Sequence, residues 1–229
     1  MLSNVLSVNA QSLLEEKEKY VIVIDPGHGG ENLGTIANPA FMEKEILMHT
    51  ANALVNELKK YDRLEVYLTR TTDVDISLRD RAVFAKEKKA DFVFSLHYNA
   101  SENHSMFGTE VWISLKPPYH ALGYRFAYLQ QLQMQDMGLF SRGIKTRKND
   151  DDNDYYGIIR ECAARNIPAV IIEHCYVDEE RDAYFVDELS DYEELGRRDA
   201  VAIAKFLGVH QDLSDVEQSL FKIKKNDII

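Results

Sequence analysis

Residues 21–30 read VIVIDPGHGG, and the expected fold of the whole chain follows from this stretch. Its first four residues are all Val or Ile, which is typical of a strand buried on both faces of a sheet. The strand ends abruptly at Asp25, and the Pro and Gly residues that follow let the chain turn sharply. His28 therefore stands just beyond the carboxyl end of a buried strand, where ligands bind in open α/β sheets.

Segments with helix and strand patterns alternate after this stretch. Apolar residues at helical spacing predict a helix over residues 42–60, and Leu64–Thr69 alternates as a strand does. A capping-box-like pattern beginning at Ser77 predicts a helix over residues 77–89, before a third strand at Asp91–His97. Such an alternation of strand and helix is typical of a sheet that is mostly parallel.

The second half of the chain continues in the same way. Further elements are predicted as strands at Thr109–Ser114 and Ala169–Glu173 and as helices at 119–137 and 191–207. We therefore expect a single α/β domain over residues 20–208, with a mostly parallel twisted sheet of about six strands flanked by helices. Residues 1–19 are interpreted as a leader or the remnant of a signal segment, and residues 209–229 as a C-terminal tail.

Two segments between these elements leave alternatives open. Residues 141–154 are basic and then acidic, which indicates either a solvated loop or a substrate-facing loop at the rim of a site. Tyr155–Glu161 could form a strand or a short helix. These segments are the least determined part of the expected fold.

Composition argues against three classes of protein: nucleic-acid-binding, membrane-spanning and disulfide-rich. The net charge of −11 disfavours nucleic acid as a partner, because phosphate binding relies on clustered Lys and Arg. No stretch approaches the roughly 18 apolar residues that a membrane-spanning helix needs. Cys162 and Cys175 cannot form a disulfide framework, so two free buried thiols are expected, although one bridge stays open.

Residues that can bind a metal or move a proton follow three predicted strands, at His28, His97 and Glu173. Parallel strands place these side chains along one edge of the sheet, and Glu43 reaches the same edge from the start of the first helix. Two imidazoles and one carboxylate with an open fourth position form a catalytic zinc arrangement. The sequence therefore predicts a zinc site at the carboxyl edge of the sheet.

The two acidic side chains at this edge have different expected roles. Glu173, beside the metal, could take a proton from the zinc-bound water that acts as nucleophile and return it to the leaving amine. The alternative is a structural acid paired with Arg160, but a buried carboxylate without a function is costly. Glu45 competes with Glu43 as the ligand, and the two point about 200° apart on a helix, so only one can face the site.

Several ordered motifs together resemble one family. They are Asp25–Gly30, Glu43–Glu45, Leu68–Asp73 with Leu78–Arg81, Ser95–Ala100 and Pro168–Glu173. On these motifs, residues 20–207 resemble the zinc-dependent N-acetylmuramoyl-L-alanine amidases of bacterial autolysins, spore enzymes and phage lysins. The resemblance implies that His28, Glu43 and His97 hold one Zn²⁺ and that Glu173 is the catalytic carboxylate. It also implies cleavage of the amide between N-acetylmuramic acid and L-alanine in peptidoglycan.

The resemblance has further implications and one departure. It implies a location outside the cell or in the cell envelope. Because no wall-binding repeat is recognisable, targeting is expected to come from missing sequence or from a regulatory or targeting partner. The family usually has a small residue, Gly and Phe after the catalytic Glu, whereas His174, Cys175 and Tyr176 follow here. We expect a structural role for His174. The open alternatives are another zinc peptidase or deacylase on this scaffold, or a catalytically silent wall-binding module.

Three residues around the expected site carry smaller predictions. Asp25 is expected to orient His28, although a turn-forming role would also explain it. Asn99 is expected to order its loop through backbone hydrogen bonds, or to contact the peptide. Arg81 is expected to pair with an acid and hold its helix to the sheet.

Overall fold

A computed structural model of the protein describes residues 17–38 and 41–210. The strands in this part of the chain are β1 (Tyr20–Pro26), β2 (Ile36–Asn38), β3 (Phe41–Met42), β4 (Leu64–Leu68), β5 (Phe92–Asn99), β6 (Thr109–Ile113), β7 (Ser141–Lys145) and β8 (Ala169–Tyr176). The helices are α1 (Glu43–Leu58), α2 (Leu78–Glu87), α3 (Tyr119–Asp136), α4 (Gly157–Ala163), α5 (Glu180–Ala183) and α6 (Leu189–Phe206). Most of the leader expected at 1–19 and of the tail expected at 209–229 lies outside the described residues.

Six strands form one sheet in the order β4-β1-β5-β8-β6-β7. The first four run parallel to one another, while β6 runs antiparallel to β8 and parallel to β7. The predicted mostly parallel α/β sheet is thus confirmed, with a reversed pair of strands at one edge. A short hairpin of β2 and β3, which the sequence patterns did not predict, leads into α1.

Helices cover both faces of the sheet, and alternate side chains of β1 divide between them. Ile22 and Ile24 join the larger core, which contains residues of α1, α3 and α6. Val23 faces the opposite way and joins a second core with residues of α2 and α4. A strand with apolar side chains on both faces is stable only between two such layers, which explains the unbroken Val and Ile run.

Differences from the predicted elements lie mainly in the second half of the chain. Residues 141–145 form the edge strand β7, not a loop, and their side chains are only half-buried, so no apolar run marked them. Tyr155–Glu161 resolves into a turn and the start of α4. Helix α6 begins two residues before Asp191, because Glu188 caps it and Asp191 completes the capping box.

Both cysteines are free and buried, as predicted. Among the described residues, no helix combines the length and the apolar character that crossing a bilayer requires.

Candidate metal centre and active site

Three side chains meet at the carboxyl edge of the sheet. His28 follows β1, Glu43 is the first residue of α1, and His97 lies near the end of β5. His97 Nδ1 is 3.1 Å from His28 Nε2 and 3.2 Å from Glu43 Oε1, and His28 Nε2 is 3.2 Å from Glu43 Oε2. One candidate ligand atom from each residue lies within 4.8 Å of the other two.

Backbone groups fix the Glu43 carboxylate in this cluster. The backbone N–H of Thr35 donates to Oε2 at 2.7 Å, and that of Tyr98 donates to Oε1 at 2.9 Å. Burial alone would raise the pKa of Glu43, but hydrogen bonds and charge from His28 and His97 outweigh it and lower the pKa below its usual range. Glu45 is exposed, so the geometry brings Glu43 and not Glu45 into the cluster.

Asn32 holds the His28 imidazole through the ring nitrogen that faces away from the cluster. Its Nδ1 lies 2.8 Å from Asn32 Oδ1, and because an amide oxygen only accepts, Nδ1 carries the proton. Nε2 is then the ring nitrogen that faces the cluster, as a metal ligand requires. His28 also has a φ of 59°, a conformation that is uncommon for a residue other than glycine and is often found at functional sites.

Gly27 makes room for the other imidazole. A Cβ atom at this position would lie 2.1 Å from His97 Cε1, so only glycine lets the ring pack against the chain. The glycines after β1 therefore allow close approach as well as a turn.

Buried charged residues stabilise the glycine turn that follows β1. Asp25, 1% exposed, accepts hydrogen bonds from Thr69 Oγ1 at 2.5 Å, Arg81 Nη1 at 2.7 Å and Ser95 Oγ at 2.8 Å. Burial would raise the pKa of Asp25, but the charge of Arg81 and these hydrogen bonds lower it. Arg81 also donates to the carbonyl of His28 at 2.6 Å. Asp25 thus reaches His28 through Arg81 and the backbone, with no hydrogen bond to the imidazole itself.

Two further cations hold the glycine turn, and sequence reasoning assigned neither a role. Arg70 donates to the carbonyl oxygens of Gly27 at 2.9 Å and Lys44 at 2.6 Å. Lys44 Nζ donates to the carbonyl of Gly30 at 2.8 Å and to Asp73 at 2.6 Å. In the sequence, Arg70 and Lys44 were marked only by their positions next to Thr69 and Glu43 in the family motifs.

The three clustered side chains fit a small divalent cation. Two imidazole nitrogens and a carboxylate are borderline ligands that suit zinc, with bond lengths of about 2.0–2.1 Å. Ligand atoms around such an ion lie about 3.3 Å apart in a tetrahedron, close to the 3.1–3.2 Å contacts seen here. All three residues also line a cavity of about 420 Å³, so a fourth position faces open space.

Glu173 lies in the same cavity, beside the cluster. Its Oε2 is buried and has no hydrogen-bond partner among the described residues. Burial, and then the charges of Glu43 and Glu110, raise the pKa of Glu173 well above its ordinary value, while Lys145 opposes the rise. An unpaired buried carboxyl of this kind is typical of a group that moves a proton.

The structural alternative for Glu173 required a salt bridge to Arg160. Arg160 instead donates to the carbonyl oxygens of Asp154 at 2.8 Å and Tyr155 at 3.0 Å.

The Asn99 side-chain amide makes two hydrogen bonds. Its oxygen accepts from the backbone N–H of Ala100 at 3.0 Å, and its nitrogen donates to Glu110 at 3.2 Å. Its contact with Ala100 orders the loop, and Asn99 also lines the cavity.

His174 points to the opposite face of the sheet from Glu173. It is fully buried, and it lies 2.9 Å from the carbonyl oxygen of His97 through Nδ1 and 2.6 Å from Asp199 Oδ2 through Nε2. Both partners only accept, so both ring nitrogens donate and His174 carries a positive charge. It has a structural position behind the site and does not enter the cavity.

The chain is similar to known proteins over most of its length. A sequence profile of the family described as N-acetylmuramoyl-L-alanine amidase matches residues 22–205. The matched region contains His28, Glu43, His97 and Glu173.

Individual relatives agree with this match. The N-acetylmuramoyl-L-alanine amidase CwlM of Bacillus licheniformis is 29% identical over 209 residues, covering 90% of this chain and 77% of its own. The sporulation-specific N-acetylmuramoyl-L-alanine amidase of Bacillus subtilis (strain 168) is also 29% identical, covering 90% of this chain and 76% of its own. The crystal structure of N-acetylmuramoyl-L-alanine amidase from Clostridium difficile 630 superposes with a TM-score of 0.73 at 27% identity, over 85% of this chain and 100% of that one.

Proposed function

The chain belongs to the N-acetylmuramoyl-L-alanine amidase family, and from that membership and its site we propose a zinc-dependent hydrolase of peptidoglycan. Its target is the amide between the lactyl group of N-acetylmuramic acid and the first L-alanine of the stem peptide. The observation that carries the mechanism is the unpaired carboxyl of Glu173, which lies in one cavity with His28, Glu43 and His97.

In this proposal His28, Glu43 and His97 hold one Zn²⁺. When bound there, the ion would supply a Lewis acid for the scissile carbonyl and for the negative charge that develops on it. Because the backbone N–H groups of Thr35 and Tyr98 orient Glu43, this ligand is already in place before the metal arrives.

Glu173 moves the proton. It takes a proton from the attacking water and delivers it to the nitrogen of L-alanine as the amide breaks, so one carboxyl serves as base and then acid. Its pKa is raised by burial and partly by the charge of Glu43, and a cation bound beside Glu43 offsets that second cause. A cation held by the three ligands would therefore bring the pKa of Glu173 closer to the range in which a carboxyl both accepts and donates a proton at neutral pH.

The test compares wild-type protein with Glu173→Gln after both are loaded with zinc. We expect Glu173→Gln to bind zinc as the wild type does and to release at least about 100-fold less free N-terminal alanine from a defined muropeptide. Glu45→Gln is the matched control, because Glu45 is exposed on the same helix as Glu43. Full activity in Glu173→Gln would remove the assigned role.

The same assay separates the rival functions. Cleavage of simple acyl-peptides but not of muropeptides would favour another zinc peptidase or deacylase. Binding of peptidoglycan by the zinc-loaded wild type, without release of alanine, would favour a silent wall-binding module. The substrate also implies a location outside the cytoplasm, in the envelope or beyond it, where a regulatory or targeting partner could direct the enzyme.

A further inference from the structure

The segment between β7 and α4 is firmly held beside the cavity. Asp154, 2% exposed, accepts hydrogen bonds from Ser114 Oγ at 2.7 Å and from the backbone N–H of Leu115 at 2.6 Å. Asn149 Oδ1 accepts from the backbone N–H of Asn153 at 2.9 Å, which closes the turn between them. A charged segment that is anchored in this way presents its side chains in defined positions.

Arg147 is a cation that lies beside Tyr156, a residue of the cavity lining. Its guanidinium carbon lies 3.7 Å from the centre of the Tyr155 ring, and the next residue, Tyr156, lines the cavity. Burial, and then the charge of Glu173, raise the pKa of Tyr156 to about 12, while nearby Arg147 opposes the rise. Arg147 is exposed and forms no salt bridge within residues 17–38 and 41–210.

A second group of cations lies near Trp112, whose ring packs against Tyr156. Tyr156 packs against Trp112 with ring centres 4.9 Å apart, and Lys145 Nζ is 5.4 Å from the Trp112 ring centre. Lys145 and Arg142 both form salt bridges with the buried carboxylate of Glu110. Two cations on one carboxylate leave an excess positive charge here.

These three cations, Arg142, Lys145 and Arg147, form what we call the basic rim. The chain as a whole has a net charge of −11, whereas here Arg142 and Lys145 share one carboxylate and Arg147 forms no salt bridge among the described residues, so the basic rim has more cations than acids paired with them. The rim continues the row that runs across the sheet from His97 through Glu173 to Glu110, which are paired in register. A substrate extending from the cluster along this row would reach the basic rim.

We propose that the basic rim binds a carboxylate that the substrate carries beyond its scissile amide. Guanidinium groups bind carboxylates through paired, charge-assisted hydrogen bonds, and the Tyr155 ring already holds Arg147 in place. Tyr156 and Trp112 provide an aromatic surface against which the adjoining peptide can pack. The inference rests on the proposed function, because it deepens the specificity of the same site.

Peptidoglycan chemistry offers a suitable group. The second residue of a stem peptide carries its α-carboxyl either as a free carboxylate or as a carboxamide. The basic rim selects the free carboxylate, because the carboxamide has no charge to pair with Arg147 or Lys145.

The test uses the zinc-loaded protein and two muropeptides that differ only in this carboxylate or carboxamide. For Arg147→Met we expect KM for the carboxylate substrate to rise about tenfold, the size of one lost charge-assisted contact, with kcat nearly unchanged. KM for the carboxamide substrate should stay the same. Lys148→Met is the matched control, because Lys148 lies in the same segment but pairs with exposed Asp152.

Two results would overturn the inference. Equal KM changes for both substrates would show a structural effect of the variants, and no change for either would show that the basic rim does not contact substrate. Both results leave the proposed function intact if wild-type protein cleaves the muropeptides. If the wild type cleaves neither muropeptide, the proposed function fails and the subsite fails with it.

Discussion

His97 and Glu173 are direct partners in the parallel register between β5 and β8. Residues paired in this way project from the same face of a sheet, and their strands lie about 4.8 Å apart. Backbone hydrogen bonds of the sheet therefore set the spacing between His97, a proposed metal ligand, and Glu173, the carboxyl to which we assign proton transfer. A site built on paired strands is held more rigidly than one built on loops.

The first prediction concerns the metal cluster. His97→Ala and Glu43→Ala should each weaken zinc binding by more than about 100-fold, because loss of a mere hydrogen-bonding partner of a ligand already costs about 10–100-fold. Zinc affinity measured by competition with a chelator tests this. Glu45→Ala should bind zinc like the wild type, and wild-type affinity in His97→Ala would exclude His97 as a ligand.

The second prediction concerns the contact between Gly27 and His97. In Gly27→Ala the new methyl group would lie 2.1 Å from the imidazole, so the ring must move and zinc binding should weaken at least about tenfold. Gly157→Ala is the control, since its methyl would meet the end of the Leu78 side chain, which is 49% exposed and can move away. Equal zinc affinity in the two variants would argue against the steric explanation.

The third prediction concerns the buried salt bridge between Asp25 and Arg81. Asp25→Asn leaves the Arg81 charge buried without its partner, which should cost about 3–5 kcal/mol in the free energy of unfolding. Urea denaturation at neutral pH measures this. Asp152→Asn removes the acid of an exposed salt bridge with Lys148 and should cost less than about 1 kcal/mol.

The same salt bridge predicts a dependence on pH. The pKa of Asp25 is lower in the folded protein than in the unfolded chain, so its contribution to stability is present above the unfolded value of about 4. That contribution should be lost as the pH falls through the lower folded pKa. The difference in unfolding free energy between wild type and Asp25→Asn should shrink in acid, and a constant difference would contradict the linkage.

The fourth prediction concerns the contact between His174 and Asp199. Its contribution to stability should depend on pH in the opposite direction to that of Asp25. Burial would lower the pKa of His174, but the charge and hydrogen bond of Asp199 outweigh it and raise the pKa. The stabilisation is therefore fully present below the unfolded value of about 6.5 and is lost as the pH rises through the folded pKa. The stability lost in Asp199→Asn should be largest in mild acid and fall as the pH increases, as urea denaturation over a pH series would show.

Local patterns in the sequence predicted most of the elements and the place of the site. The Val and Ile run, the glycine turn at His28 and the strand ends at His97 and Glu173 are signals carried by a few neighbouring residues. Strand β7 could not be predicted in this way, because its half-buried side chains form no apolar run and its pairing with β6 is long-range. The same holds for Arg142 and Lys145 of the basic rim, which lie on β7 and are brought to Glu110 by that pairing.

The sequence by itself determined that a buried strand would deliver His28 to a sheet edge and that His97 and Glu173 would end other strands of that sheet. Only the tertiary structure decided that Glu43 faces the cluster while Glu45 faces solvent, and that Glu173 Oε2 has no hydrogen-bond partner among the described residues. The reason is the range of the interactions involved. Periodicity and turn chemistry act between neighbours in the chain, whereas the partner of a buried charge, such as Asp25 for Arg81, is chosen by the packing of distant segments.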